Sequence, residues 1–215
     1  MRCIAVVPMK LNNRRLPGKN TKSFTNGKPL CTYILNTLLK VSSIDEVYVY
    51  CSDSSIQKYL PNGVKYLKRD VSLDCDETKM NEVLMRFADD VSSDVYLMTH
   101  ATAPFVSAES IGKGVDAVLS GEYDSSFAAK KVQDFIWKDG KPFNYNLDNI
   151  PRTQDLPPLF METSGFYCYT EKVIRGGRRI GDHPYIVEVS EIESIDIDEA
   201  EDFMLADAVN SFIKR

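Results

Sequence analysis

Short apolar runs of strand length alternate with amphipathic stretches of helix length along most of the chain, and this alternation limits the fold more than any other feature. "CIAVVP" (3–8) is apolar without a break, the pattern of a strand covered on both faces. "PLCTYILNTLLKV" (29–41) opens with a proline suited to a first helical turn and sets Leu30, Ile34 and Leu38 at helical spacing. Strand "EVYVYC" (46–51), short helix "SSIQKYL" (54–60), strand "VKYLK" (64–68), helix "ETKMNEVLMRFADDV" (77–91) and strand "DVYLMTH" (94–100) continue the rhythm. Helix "AESIGKGVDAVLS" (108–120) and strand "SSFAAKKV" (125–132) extend it. The pattern predicts an α/β chain with a mostly parallel sheet and helices on both faces. Such sheets bind ligands beyond the carboxyl ends of their strands, where the loop after the first strand and "THATAP" (99–104) both fall.

The rhythm breaks after residue 132. "FIWKDGKPFNYN" (135–146) has the Asp-Gly turn and flanking aromatics of a hairpin, and "NIPRTQDLPPLF" (149–160) is proline-rich and irregular. "METSGFYCYT" (161–170) reads as a strand again. Residues 131–170 are therefore expected to form an inserted arm on a single domain spanning 1–215, with "HPYIVEVS" (183–190) closing the sheet. "DEAEDFMLADAVNSFI" (198–213) is expected as the last helix. Five widely spaced cysteines without a CxxC pair point to a reduced protein with neither disulfides nor a zinc site. No apolar run reaches membrane-span length, and the start lacks a signal peptide's apolar core, so a cytoplasmic protein without a membrane partner is expected.

Charge is segregated. The first 44 residues hold eight Lys or Arg and no acid, whereas Glu188 to Asp207 holds nine acids and no Lys or Arg. The overall charge of −5 argues against nucleic acid as a partner. Lys10, Arg14, Arg15 and Lys19 in the first loop suit a polyanion such as a triphosphate, because arginine forks onto phosphate oxygens and lysine adds a compact charge. The same residues also fit a solvated loop. A Walker loop is ruled out by Asn13 and Asn20 where it needs Gly and Ser/Thr, and GxGxxG is absent. "SIDIDEAEDF" (194–203) sets Asp196 and Asp198 two apart, on one side of an extended chain. Paired carboxylates with phosphate oxygens suit Mg2+; alternatively, Asp198 is the N-cap of the last helix. His100 ends the fourth strand, where it can meet a ligand, and no nucleophilic triad is visible around it.

Taken together, these blocks resemble the acylneuraminate cytidylyltransferases, or CMP-sugar synthetases, nearly end to end. That family's first loop reads Ile-Pro-Ala-Arg-x-Gly-Ser-Lys-Gly, three more residues, then Lys-Asn. Pro8, Lys10, Arg14, Lys19 and Asn20 fall at matching positions without a gap. "GKPLCTYIL" (27–35), "VYVYCSDSSI" (48–56), "HATAPF" (100–105), "PRTQDLPP" (151–158) and "ETSGFY" (162–167) match further blocks, and "SIDIDEAEDF" matches best. The loop departs from the family at Met9-Lys10, Asn12-Asn13 and Arg15, and His100 replaces a polar amide. Losing two glycines limits how closely backbone can approach phosphate, leaving side chains to supply the donors.

The resemblance implies a Rossmann-like nucleotidyltransferase fold with a dimerising arm and a homodimer. It implies attack by an acceptor hydroxyl on the α-phosphorus of CTP, with pyrophosphate leaving. Lys10, Arg14 and Lys19 would be catalytic through the phosphates; Lys10, Asn20, Arg69 and Thr102 would bind the nucleotide; Asp196 and Asp198 would hold Mg2+. His100, Arg152, Gln154 and Glu162 would face an acidic α-keto sugar, with Arg152 suited to its carboxylate. A phosphonate or other acidic acceptor, and a paralogue that binds nucleotide without turnover, are the alternatives; dehydrogenase chemistry lacks its glycine fingerprint.

Overall fold

In a computed structural model that describes residues 1–213, a seven-stranded sheet runs through the molecule in the order β3-β2-β1-β4-β8-β5-β9. Its first half is parallel: β1 (Cys3–Met9) lies between β2 (Glu46–Cys51) and β4 (Val95–Thr99), and β3 (Val64–Lys68) forms the edge. Every residue of β1 is buried, as its unbroken apolar run requires. Helix α1 (Cys31–Leu38) and α3 (Ala108–Leu119) cover one face, burying Ile34, Leu35, Leu38, Ile111 and Val115 against alternate residues of β1, β2 and β4. Helix α2 (Met80–Asp90) and α4 (Glu171–Arg175) cover the other, where Val83, Leu84, Phe87 and Ile174 meet Ile4, Val6, Tyr96 and Met98. Cys3, Cys31 and Cys51 are free and buried, small hydrophobes in effect, whereas Cys75 is exposed.

Beyond β4 the direction changes. The strand β8 (Leu159–Thr170) is antiparallel to both β4 and β5 (Ser125–Val132), and β9 (Pro184–Val189) closes the far edge parallel to β5. The arm expected over 131–170 is therefore narrower: residues 159–170 belong to the central sheet, leaving 133–158 to project from it. In that projection β6 (Trp137–Lys138) and β7 (Lys141–Pro142) form the expected hairpin, its turn made by Asp139 at φ 52 and Gly140 at φ 75. The segment expected as a helix over 54–60 is a 3-10 helix over Ser54–Tyr59.

The last helix also begins later than expected. Helix α5 (Ala200–Phe212) is capped by Glu199, with Asp202 completing a reciprocal capping box, so Asp198 is not the N-cap. A third apolar cluster then ties the two ends of the chain together. Leu16 and Phe24 of the first loop pack with Leu30, Phe105, Ile197 and Phe203. The Phe24 ring lies 4.9 Å from Phe203 and 6.4 Å from Phe105, between centroids. This clamp is what delivers the basic loop to the acidic segment.

Gly114 is the point where α3 and the sheet touch. A Cβ there would lie 2.4 Å from Phe166 Cε2 and 2.9 Å from Ser126 Oγ. An alanine in mid-helix ordinarily stabilises by about 1 kcal/mol, but overpacking a core costs about 1–3 kcal/mol. Gly114→Ala is expected to lower the melting temperature measurably by calorimetry, the opposite of the helix-propensity expectation.

Candidate active site

The loop after β1 leaves the sheet at Lys10 and returns through a turn at Gly18, whose φ of 68 a side chain would strain. A one-turn 3-10 helix, Lys19–Thr21, follows and buries Lys19 and Asn20. Asn20 donates from Nδ2 to the Lys10 carbonyl at 3.0 Å, closing the loop on itself. Lys19 reaches across to the other end of the chain, donating from Nζ to the Ile197 carbonyl at 2.6 Å and lying 3.4 Å from Asp198 Oδ1. Arg15 donates to that same Asp198 oxygen at 2.8 Å and sits 3.6 Å from Glu199. The charge of Asp198 raises the Arg15 pKa further above its ordinary value.

The other two cations meet a second carboxylate. Lys10 Nζ lies 3.1 Å and Arg14 2.6 Å from Asp76, on the loop between β3 and α2. The Lys10 hydrogen bond, then the charge of Arg14, hold the Asp76 carboxyl below the usual range. Four loop cations thus share three carboxylates, Asp76, Asp198 and Glu199, leaving one positive charge over in this local set. The cations surround a cavity of about 300 Å³ lined by Lys10, Asn13, Arg14, Arg15, Lys19 and Asp76. The Asn13 side-chain oxygen is buried there without a hydrogen-bond partner.

An adjoining cavity of about 190 Å³ shares Lys10 and Asp76 and adds Arg69, Thr78, Met80 and Val83. Arg69 is only 4% exposed and pairs with Asp74, which also accepts from Ser52 Oγ at 2.5 Å. Arg69 Nε remains buried without a partner. A charged pocket beside one that adds apolar walls, the two sharing a lysine, suits a ligand with a charged tail and a flat polar head.

The acidic segment is held over the end of β4. The Ile197 amide donates to the Thr102 carbonyl at 2.9 Å, so Thr102 is a strut through its backbone. Asp196 accepts from Ser164 Oγ at 2.7 Å with one oxygen, and its other oxygen is buried without a donor. His100 feels the charges of Asp196, Arg179, Lys19 and Asp198 together, and burial lowers its pKa below the ordinary imidazole value. Among the described residues no group of three or more His, Cys, Asp or Glu side chains forms a metal cage. Asp196 and Asp198 are thus two separate carboxylates with different partners. The unsatisfied Asp196 oxygen fits a cation that takes few protein ligands.

Of the residues expected at the site, Lys10, Arg14, Lys19, Asn20, Arg69, His100, Thr102, Asp196 and Asp198 gather at this edge. Glu162 lies beside it, accepting from the Tyr167 hydroxyl at 2.5 Å. Arg152 and Gln154 sit apart on the arm: both are exposed, and Arg152 forks onto Asp155 at 2.7 and 3.0 Å. Sequence reasoning missed Asp76 and Asp74 as the counter-charges, although the acidic run after Arg69, facing a basic loop, carried the signal. Ser164 and Arg179 had no sequence signal, since strand pairing places Ser164 and the packing of a loop residue on Tyr167 places Arg179.

The family model described as cytidylyltransferase matches residues 4–185. The chain belongs to the cytidylyltransferase family. As a family member it is a CTP-dependent nucleotidyltransferase, and its relatives bear out the resemblance to CMP-sugar synthetases. It is 27% identical over 223 residues to the CMP-N,N'-diacetyllegionaminic acid synthase of Legionella pneumophila, covering 96% of this chain and 95% of that one. It is 25% identical over 215 residues to N-acylneuraminate cytidylyltransferase B of Danio rerio, across 94% of this chain but 50% of the relative, so it spans half that relative's length. Its fold matches the structure of CMP:2-keto-3-deoxy-manno-octonic acid synthetase complexed with CTP, with TM-score 0.75 and 15% identity across 99% of both chains. No helix among the described residues is long and apolar enough to cross a membrane.

Proposed function

We propose that this cytidylyltransferase transfers CMP from CTP to the hydroxyl of an acidic α-keto sugar of the nonulosonate type, releasing pyrophosphate. One observation carries the reading: the basic loop, clamped against an acidic segment, borders a pocket for phosphates that adjoins a second pocket for a base. The triphosphate lies among Lys10, Arg14, Arg15 and Lys19, and the base lies toward Arg69 and Thr78. In the free protein Asp76 and Asp198 hold the loop cations, so the phosphates bind by competing with them. Buried donors left unsatisfied by a wrong base reject it strongly, and Arg69 Nε is such a donor.

In the transfer one P–O bond forms from the acceptor hydroxyl to the α-phosphorus, the bond to the β-phosphate oxygen breaks, and one proton is released. The chain's residues contribute by positioning and by fixed positive charge where negative charge moves onto the leaving group. Asp196 and Asp198 would hold Mg2+, which supplies further charge neutralisation on phosphate oxygens when bound. The sugars in the names of the two curated relatives support a nonulosonate. The altered loop and His100 leave a phosphonate or another acidic acceptor as the second reading.

The test is pyrophosphate release with Mg2+, each of CTP, ATP, GTP and UTP, and a panel of acidic sugars and phosphonates. Release that requires both CTP and an acidic α-keto sugar is expected. CTP binding by calorimetry without release for any acceptor would leave a nucleotide-binding paralogue instead.

A homodimer is part of the same reading. The arm exposes Trp137 at 56%, Phe143 at 56%, Leu147 at 55% and Ile150 at 58%, an apolar surface that a second subunit would cover. Light scattering at micromolar concentration should give twice the chain's mass. An active monomer would remove the dimer.

A further inference from the structure

Arg179, on the loop between α4 and β9, is a guanidinium at the edge of the site that none of the roles above uses. Its head lies 4.3 Å from the centroid of the Tyr167 ring and 3.5 Å from Glu162 Oε1. The Tyr167 hydroxyl donates to that same oxygen, closing a three-residue cluster. Tyr167 is 4% exposed, so the face under the guanidinium is fixed, while the Arg179 side chain itself is 30% exposed. Tyr167 pairs across the sheet with Met98, two residues before His100. His100 feels the Arg179 charge together with those of Asp196, Asp198 and Lys19. Arg179 therefore stands over the seam of β4 and β8, within electrostatic range of His100.

We propose that Arg179 determines acceptor specificity by taking the acceptor's carboxylate in a two-pronged grip, with Tyr167 and Glu162 holding the guanidinium in place. This rests on the reading of an acidic sugar acceptor and assigns its anchor. Arg152, the other candidate, has a side chain 72% exposed and already forked onto Asp155. Arg179 instead uses one long contact of its five donors, and its aromatic backing favours a planar, weakly hydrated cation. Glu162 sharpens the choice. Its charge partly offsets Arg179, so a second negative charge on the ligand meets repulsion; the cluster favours a monoanionic carboxylate over a dianionic phosphonate.

The experiment uses the full chain with CTP, Mg2+, N-acetylneuraminate and its carboxyl methyl ester. Wild type should prefer the acid over the ester by roughly 10- to 100-fold in kcat/KM, the size of a charge-assisted hydrogen bond. Arg179→Gln should use acid and ester within about threefold of each other, with KM for CTP unchanged, and Arg179→Lys should recover only part of the preference because it lacks the fork. Glu162→Gln, which keeps Arg179, should lower KM for the acid and admit phosphonates. An Arg179→Gln protein that still discriminates acid from ester as wild type does overturns the inference alone, as does an unchanged acid KM in Glu162→Gln. A wild type that binds CTP but turns over no acidic sugar overturns the functional reading and this inference with it.

Discussion

Asp198→Asn is expected to lower CTP turnover by about a hundredfold, the effect of losing about 3 kcal/mol of transition-state stabilisation. The fold should barely respond. Glu199 caps α5, and Asp202 accepts from the amides of Asp198 and Glu199 at 2.9 and 2.8 Å, so the backbone there is fixed without the Asp198 side chain. Arg15 keeps Glu199, and Lys19 keeps the Ile197 carbonyl at 2.6 Å. The Asp198 side chain is 44% exposed, so its ion pairs contribute at most about 1 kcal/mol, worth roughly 2–4 °C in a chain of this size. Turnover, its magnesium dependence and the melting curve read the two effects apart. Unchanged turnover with unchanged magnesium dependence would remove Asp198 from the metal and phosphate machinery.

The opposite profile is expected at Arg69. Arg69→Met leaves the Asp74 carboxylate, whose side chain is 12% exposed, without its cation, and breaking a buried pair by removing one partner costs about 3–5 kcal/mol. Ser52 Oγ still donates to Asp74 at 2.5 Å, which places the loss at the lower end. A fall in melting temperature of roughly 6 °C or more follows from about 2 °C per kcal/mol. Replacing both partners, as Arg69→Met with Asp74→Leu, should recover much of that stability because no charge is left stranded. CTP affinity should stay weak in both variants, since neither restores the donor beside the base pocket. A double variant as unstable as the single one would contradict the pairing, and normal CTP affinity would contradict the nucleotide role.

Much of this molecule was legible from periodicity. The unbroken run 3–8, the apolar spacing of 29–41 and the alternation that follows are dictated by burial of one sheet between two helix layers. The direction of β8 was not legible, because a strand's pattern is the same whether its neighbours run with or against it. That is why 159–170 read as part of an arm. The start of α5 misled for a different reason: Asp198 and Glu199 both precede the helix, and only the return contact from Asp202 decides between them. At the site, charge segregation exposed the basic loop and the acidic segment. The partition of four cations among Asp76, Asp198 and Glu199 needed the third apolar cluster, built from residues as distant as Leu16 and Phe203. Arg179 was invisible, since nothing local marks an arginine that will stack on a strand residue.

The most direct measurement of the central claim is identification of the product. Protein, CTP, Mg2+ and an acidic α-keto sugar are incubated, and the mixture is followed by phosphorus NMR and mass spectrometry. The account predicts one new phosphodiester signal, with the mass of the CMP-sugar, growing in equal proportion to pyrophosphate. Pyrophosphate accompanied by free CMP at a rate indifferent to the sugar would contradict it.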